Sequence, residues 1–248
     1  MPTIPAGEPP ASLAIEAIRS GDLETLERLL ADEPGLATAR LVRPPGHTLT
    51  LLHVATDWPG HFAGAAKAVA MLVDAGADVD ARYEGPHEQT PLHWAASSDD
   101  VGVLDALLDA GADIEAPGAF HGLGGPLDNA VAFGQWNAAR RLVERGAETK
   151  LWHAAALGLS DRIARRFAEA PPPSPDEVTE AFWQACHGDQ QAAAEYLAER
   201  GADLNWIGYD DLTPLDNARR SGADELAEWV TARGGMSAED VRSRRQED

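Results

Sequence analysis

The chain has 248 residues, 44% of them hydrophobic, which is enough to bury a substantial core. Forty-one acidic residues against 20 basic ones give a formal net charge of −21, which repels phosphate backbones and argues against nucleic-acid binding. No run of 18 apolar residues exists and the first ten residues do not resemble a secretory signal, so we expect a cytoplasmic protein without membrane attachment. The single cysteine, Cys186, excludes an internal disulfide and a zinc-thiolate cluster. Lysine is scarce beside arginine, which is typical of a GC-rich genome and favours a bacterial source.

A short glycine motif recurs along the chain at a regular interval. The sequence DAGADVDA at residues 74–81 returns as DAGADIEA at 109–116, and shorter versions follow at 144–148 and 199–205. The glycines of the first three copies lie 35 residues apart; they are Gly76, Gly111 and Gly146. A fixed period of this length indicates a repeat protein.

A second motif keeps the same register. Residues 90–96 read TPLHWAA, and partial versions occur at 50–55, 125–130, 150–156, 180–185 and 213–218. The fourth residue of the unit lies 18 positions before a glycine in several copies; these pairs include His93 with Gly111 and Trp183 with Gly201. The two motifs therefore belong to one repeating unit.

Together these motifs resemble the ankyrin-repeat family, whose unit of about 33 residues carries a T-P-L-H-x-A signature. The resemblance covers residues 11–235 and implies an all-α solenoid of about seven helix–turn–helix repeats with projecting finger loops. It leaves residues 1–10 as a flexible N-terminal tail and 236–248 as a charged C-terminal tail. It also implies that His53, His93 and His153 hydrogen-bond the backbone and the threonine hydroxyl that precede them.

The residue types support this assignment on physical grounds. Thr90 offers a hydroxyl to the free N–H groups of a helix start, and Pro91 fits the first helical turn. The repeated glycines suit the left-handed position that follows a helix C-terminus. Ser174, Pro175 and Glu177 form the pattern of a capping box, which predicts a helix beginning after the proline-rich residues 171–173.

Departures from the repeat are where a specific function can enter, because insertions map to loops. The second repeat carries five extra residues within 57–64, which predicts a longer turn between its two helices. The finger at 120–125 is rich in glycine. Three finger histidines, His47, His87 and His121, raise the alternative of a metal site. Equivalent residues of stacked repeats lie about 10 Å apart, so we expect polar finger residues and no bound metal or cofactor.

Aromatic and acidic residues at inner turns and fingers are the candidates for binding. Exposed aromatic residues flanked by acids are typical of binding hot spots, although such residues can also pack against neighbouring fingers. The predicted binding residues are Asp57, Trp58, His87, Trp94, Phe133, His187, Trp206, Tyr209 and Asp210.

Two functions remain open at this point. The first is non-covalent recognition of a protein partner, with a basic surface, by a monomer. The second is a small-molecule-binding or hydrolytic protein with an aromatic, acid-lined pocket on the same face, in which Asp57, His61 and His187 act as acid and base. No nucleophile elbow, phosphate loop or His-Glu-x-x-His motif is present, which favours the first.

Overall fold

Pairs of short helices, most of them joined by a tight turn, make up nearly all of the fold. A computed structural model describes residues 2–118 and 124–247, and these fall into two units, Met1–Glu148 and Thr149–Asp248. Within the described residues there are seven such pairs and one closing helix, which confirms the all-α, seven-repeat prediction. None of the described helices is long and apolar enough to cross a bilayer.

The first unit contains four helix pairs. They are α1 (Ala11–Ser20) with α2 (Leu23–Asp32), α3 (Leu51–Ala55) with α4 (Ala65–Asp74), α5 (Pro91–Ser97) with α6 (Val101–Asp109), and α7 (Pro126–Ala132) with α8 (Trp136–Glu144). The first helix of each pair packs against the first helix of the next, and the core lies between the two rows of helices. Small residues such as Ala95 and Ala96, both fully buried, allow this close packing.

The second unit contains three helix pairs and the closing helix. They are α9 (Leu151–Ala156) with α10 (Ser160–Ala168), α11 (Pro175–His187) with α12 (Gln191–Ala198), α13 (Pro214–Arg220) with α14 (Asp224–Ala232), and α15 (Ala238–Glu247). The predicted capping box at the start of α11 is confirmed: the Glu177 N–H donates to Ser174 Oγ, and the Ser174 N–H donates to Glu177 Oε2. A single 3-10 turn, Tyr209–Asp211, precedes α13.

Both segments predicted as tails contain regular structure. Thr3–Pro5 forms strand β1, which pairs in parallel with β2 (Arg40–Arg43), and β2 pairs antiparallel with β3 (His47–Leu49). Backbone hydrogen bonding to a strand edge orders this segment where no helical pattern exists. At the other end α15 is a helix, with Val241 buried and Arg242 bonded to Asp211 at 3.0 Å. The predicted limits of the repeat region, 11 and 235, stay a prediction.

The repeated glycines end the second helices of the pairs as predicted. Gly76, Gly111, Gly146 and Gly201 all have positive φ angles, between 89° and 104°. At Gly76 the N–H donates to the carbonyl of Val73, and the next N–H donates to that of Leu72, which satisfies two carbonyls at the helix end. The chain then leaves each helix for a finger loop.

The histidine of the T-P-L-H unit caps its own helix. Nδ1 of His93 accepts the Thr90 backbone N–H at 3.2 Å and lies 2.9 Å from the Thr90 hydroxyl; His53 repeats these contacts with Thr50. Nδ1 of His153 accepts the N–H of Lys150 at 3.1 Å. The predicted hydrogen bond of the three histidines to the backbone is thus confirmed. The additional contact with a threonine hydroxyl occurs for His53 and His93, which follow a threonine, whereas Lys150 stands in that position before His153.

The same residue also reaches the following repeat. Because Nδ1 is an acceptor, the proton of neutral His53 lies on Nε2, which donates to the Gln89 carbonyl at 3.1 Å. Gln89 directly precedes the N-cap Thr90 of the next repeat. Where tryptophan replaces histidine, the Trp183 indole N–H donates to the carbonyl of Leu212, the residue before Thr213. Two different side chains thus make the same inter-repeat contact.

Burial keeps two of these imidazoles neutral. His53 and His93 are fully buried, and removal from water lowers the pKa of each from 6.5 to about 4. The Gln89 carbonyl, which accepts from His53 Nε2, and the backbone of Gly124 near His93 raise these pKa values, but their effects are smaller than that of burial. Both groups therefore carry no charge in the folded protein at neutral pH.

Replacement of His93 by alanine should damage the fold. His93→Ala removes a buried hydrogen-bonding group and leaves the N-cap of α5 without its partner, so we expect the free energy of unfolding to fall by about 1–3 kcal/mol. Urea titration monitored by circular dichroism measures this. His61→Asn is the control, because it removes an exposed imidazole at a positive-φ position that asparagine tolerates. Equal stability of His93→Ala and the wild type would contradict the buried capping role.

Stability should also fall as the solution becomes acidic. The pKa of His93 is lower in the folded protein than in the unfolded chain, so the unfolded chain binds a proton at a higher pH. The contribution of neutral His93 to the free energy of unfolding is therefore fully present above pH 6.5 and is lost as the pH falls toward about 4. Between about pH 7.5 and about pH 5 the free energy of unfolding should fall by about 2 kcal/mol for each buried histidine with such a lowered pKa. Urea titrations at both pH values should show a smaller loss for His93→Gln than for the wild type. An identical loss would mean that His93 is protonated in the fold.

Candidate functional site

The long turn of the second repeat is held in place by the third repeat. It runs over residues 56–64 between α3 and α4, as the five extra residues predicted. The backbone N–H of His61 donates to Asp100 Oδ2 at 2.7 Å, while Oδ1 of the same carboxylate caps the Val103 N–H of α6. Asp100 is buried, so one carboxylate joins the turn to the next helix pair. This anchoring fixes the position of Trp58 at the tip of the turn.

Five of the predicted binding residues surround one cavity of the first unit, which we call the aromatic cavity. It encloses about 240 Å³. Its lining residues are Thr56, Asp57, Trp58, His87, Gln89, Trp94, Ser97, Ser98 and Phe133. Trp58 is 81% exposed and Phe133 46% exposed, while Trp94 is half-buried at the base. The structure therefore brings together residues from three repeats that lie up to 76 positions apart.

A cluster of aromatic rings surrounds Trp94 beneath the aromatic cavity. The Trp94 ring lies 5.0 Å from that of His53 and 5.4 Å from that of Tyr83, and the Tyr83 hydroxyl lies 2.7 Å from His47 Nδ1. Ring contacts at these separations are favourable and hold side chains in fixed orientations. The sequence did not predict a role for Tyr83, because it lies in a finger without a regular motif and only its aromatic character distinguishes it.

The acidic part of the predicted site differs from expectation. Asp57 Oδ2 is 3.0 Å from Arg19 Nη2 and 3.5 Å from Arg43 Nη1, so its charge is compensated within the protein. Asp210 lies 2.6 Å from Arg220 Nη1 in the same way. Neither carboxylate is an uncompensated charge presented to a partner. These ion pairs join residues that are 10 to 38 positions apart in the sequence, so the residues next to each aspartate do not reveal them.

The other four predicted residues lie in the second unit, on α11 and on the finger that precedes α13. The Tyr209 ring is 5.5 Å from that of Trp183 and 6.1 Å from that of Trp206, both edge to face, and its hydroxyl donates to Glu180 at 2.6 Å. Burial, followed by this hydrogen bond, raises the pKa of Tyr209 to about 12. His187 Nδ1 lies 3.1 Å from the Ser221 hydroxyl.

Each member of the acid–base set proposed for an enzyme has a partner outside that set. His61 has its ring 4.0 Å from Asp100, Asp57 is paired with two arginines, and His187 contacts Ser221. Burial raises the pKa of the Cys186 thiol, which keeps the thiol protonated and unreactive. Of the finger histidines, His47 is engaged with Tyr83, and His121 lies outside the described residues, as does most of the glycine-rich finger at 120–125. Across residues 2–118 and 124–247 no group of three potential metal ligands occurs.

Comparison with known proteins agrees with the repeat architecture. Residues 13–117 match the family model described as ankyrin repeats (3 copies). The crystal structure of the human ASB11 ankyrin repeat domain has a TM-score of 0.52, covering 87% of this chain and 96% of that chain at 21% identity. At this identity the likeness shows the fold alone.

Two curated relatives from nematodes share part of the sequence. A transient receptor potential cation channel subfamily A member 1 homolog of Caenorhabditis elegans is 33% identical over 138 residues, which is 52% of this chain and 11% of that protein. An ankyrin repeat and KH domain-containing protein of Caenorhabditis briggsae is 27% identical over 175 residues, 67% of this chain and 6% of that protein. The chain thus spans only a small part of both relatives, and a bacterial source stays a prediction.

Residues 13–117 thus match ankyrin repeats, and the seven helix pairs, with their capping histidines and glycine-ended helices, give the chain the fold of an ankyrin-repeat domain.

Proposed function

We propose that the chain binds a protein partner through the aromatic cavity and the residues on its rim. Ankyrin repeats are in general modules of protein–protein interaction, so the family supports a recognition role. The observation that carries the proposal is Trp58, which is 81% exposed although it lies on a turn anchored by Asp100. A large apolar side chain held in water by a rigid loop is typical of an interface residue.

The size of the aromatic cavity favours a protein over a small ligand. Pockets for small molecules usually enclose about 300–1,000 Å³ and surround most of the ligand. The aromatic cavity encloses about 240 Å³ and has two exposed rings, Trp58 and Phe133, at its rim. This form suits one apolar side chain of a partner, with the two rings covering the surface around it. The small-molecule or hydrolytic alternative therefore has less support.

Charge is proposed to act at long range and not through individual contacts. Asp57 is compensated by Arg19 and Arg43, so the rim of the cavity gains little from pairing with an incoming lysine or arginine. The net charge of −21 nevertheless attracts a positively charged surface and speeds its encounter with this one. We therefore propose a partner that combines a basic surface with an apolar or aromatic anchor, bound by the chain as a monomer.

The aromatic cluster of the second unit is proposed as a further contact region. Tyr209 is 46% exposed, and Trp206 and Asp210 lie beside it on the same finger, with His187 on α11. The Tyr209 hydroxyl is already bonded to Glu180, so the ring offers its apolar surface and not its polar group. Binding by these four residues is a proposal of the same kind as that for the aromatic cavity.

Removal of the exposed indole should abolish most binding and leave the fold intact. A displayed library of random peptides, selected on the full chain, supplies a ligand with an aromatic anchor and flanking basic residues. Trp58→Ala should weaken its binding by about 2 kcal/mol or more, because hot-spot tryptophans contribute this much. Isothermal titration calorimetry measures the affinity, and a thermal melt checks the fold.

Leu13→Ala is the matched control for this substitution. Leu13 is an apolar side chain, 46% exposed, on α1 and outside the aromatic cavity. Its replacement should leave the affinity unchanged. Equal losses in Leu13→Ala and Trp58→Ala, or selected peptides that bind Trp58→Ala as tightly as the wild type, would place recognition elsewhere.

Salt should act on the association rate if the partner is basic. Raising ionic strength from about 0.05 M to about 0.5 M screens long-range attraction, so association should slow at least about tenfold while dissociation changes little. Stopped-flow mixing of the full chain with a selected peptide measures both rates. An association rate that does not depend on salt would argue against a basic partner while leaving the aromatic contact standing.

A further inference from the structure

One cavity of the second unit gathers positive charge in a strongly acidic chain. It encloses about 390 Å³ and lies beside the start of α9 and one side of α10. Four of the 20 basic residues of the chain line it; they are Lys150, Arg162, Arg165 and Arg166. We call this the basic cavity. Its volume falls in the usual range of about 300–1,000 Å³ for small-ligand sites.

The arginines share one face of α10. Arg162, Arg165 and Arg166 follow the spacing i, i+3, i+4, which places them side by side on a helix. The apolar residues of the same helix point to packing contacts elsewhere: Ile163 is buried, and the Phe167 ring lies 5.5 Å from that of Tyr196. The apolar packing of the helix thus uses a different set of side chains from the arginines. Like charges at this spacing destabilise a helix, so the arrangement has a cost.

The contacts of these arginines orient them without cancelling their charge. Arg162 Nη1 donates to the neutral hydroxyl of Thr149 at 2.9 Å. Arg166 donates to the carbonyl of Pro171 at 2.8 Å and to Glu177 at 3.3 Å. The Arg165 side chain is exposed and makes no hydrogen bond or ion pair with any residue that the structure describes. At least two guanidinium groups thus remain available to an anion.

The two carboxylates of the basic cavity do not balance this charge. Glu177 accepts the Ser174 N–H at 2.8 Å, and this backbone hydrogen bond holds its pKa below the usual range, so the carboxylate is occupied in capping α11. Glu169 is the exposed residue that ends α10. Four basic against two acidic side chains leave the basic cavity positive in a chain whose net charge is −21.

We propose that the basic cavity binds a phosphate monoester. The planar guanidinium group donates two parallel hydrogen bonds to phosphate oxygens, and several arginines on one face match a doubly charged group better than a single carboxylate. The Thr149 hydroxyl at the edge of the cavity can bond a further oxygen. The phosphate can belong to a free small molecule or to a phosphorylated side chain of a partner, since both present the same dianion. This site is separate from the aromatic cavity and does not depend on the function proposed for it.

The test uses the isotope-labelled full chain and two probes, O-phosphoserine and a short phosphoserine peptide. Backbone NMR signals of residues 149–151 and 162–169 should shift on titration with O-phosphoserine and should not shift with serine. Arg165→Ala should weaken binding about tenfold, as expected for loss of one charged hydrogen-bonding group. Because Arg165 is exposed and has no partner among the described residues, the variant should fold normally.

Arg140→Ala is the control, since it removes one exposed positive charge from α8, outside the basic cavity. It should bind O-phosphoserine as the wild type does. A phosphopeptide that binds at least about tenfold more tightly than O-phosphoserine supports the site and assigns the phosphate to a partner protein; equal affinity supports it and assigns the phosphate to a small molecule. Absence of any shift with both probes, or equal losses in Arg140→Ala and Arg165→Ala, would overturn the proposal.

Discussion

The fold depends on one hydrogen-bonding position, the fourth residue of the T-P-L-H unit. In His53 a single imidazole accepts from the N-cap of its own helix and donates to the carbonyl that precedes the next N-cap. This double contact fixes both the start of a helix and its distance from the following one. Trp183 keeps the second contact by means of an indole N–H. Only a neutral imidazole can both accept and donate in this way, and burial of the ring keeps it neutral.

Features that recur with the repeat period could be predicted from the sequence. Glycines at constant spacing, the capping box at Ser174 and the position of the extra turn all follow from local rules that act within one unit. Strand β1 could not be predicted in this way, because its hydrogen bonds go to residues nearly 40 positions away. The ion pairs of the acidic residue at the site could not be predicted from the sequence either. Asp57 reads as a free acid in sequence, and only the packing of repeats brings Arg19 and Arg43 to it.

That pairing changes how recognition by the first unit is understood. The register placed Trp58, Trp94 and Phe133 at the inner turns, and the structure groups them around one cavity. With the nearby acid compensated, contact energy must come from apolar surface, and the net charge can affect only the approach of a partner. Anchoring of the turn through Asp100 matters here as well, since a ring held in place loses little conformational freedom on binding.

The two cavities differ in the chemistry that they offer, and the difference begins in the sequence of the helices. In the first unit an insertion between α3 and α4 lengthens the turn and places Trp58 on it. In the second unit the helix α10 itself is altered, with three arginines on the face that lines the basic cavity. Mutual repulsion of Arg162, Arg165 and Arg166 would be relieved by exchanging any one of them for a neutral residue. Hydrogen bonds to Thr149 and Pro171 instead hold two of the three arginines in position. Binding of an anion requires such an arrangement, whereas the stability of the helix alone does not.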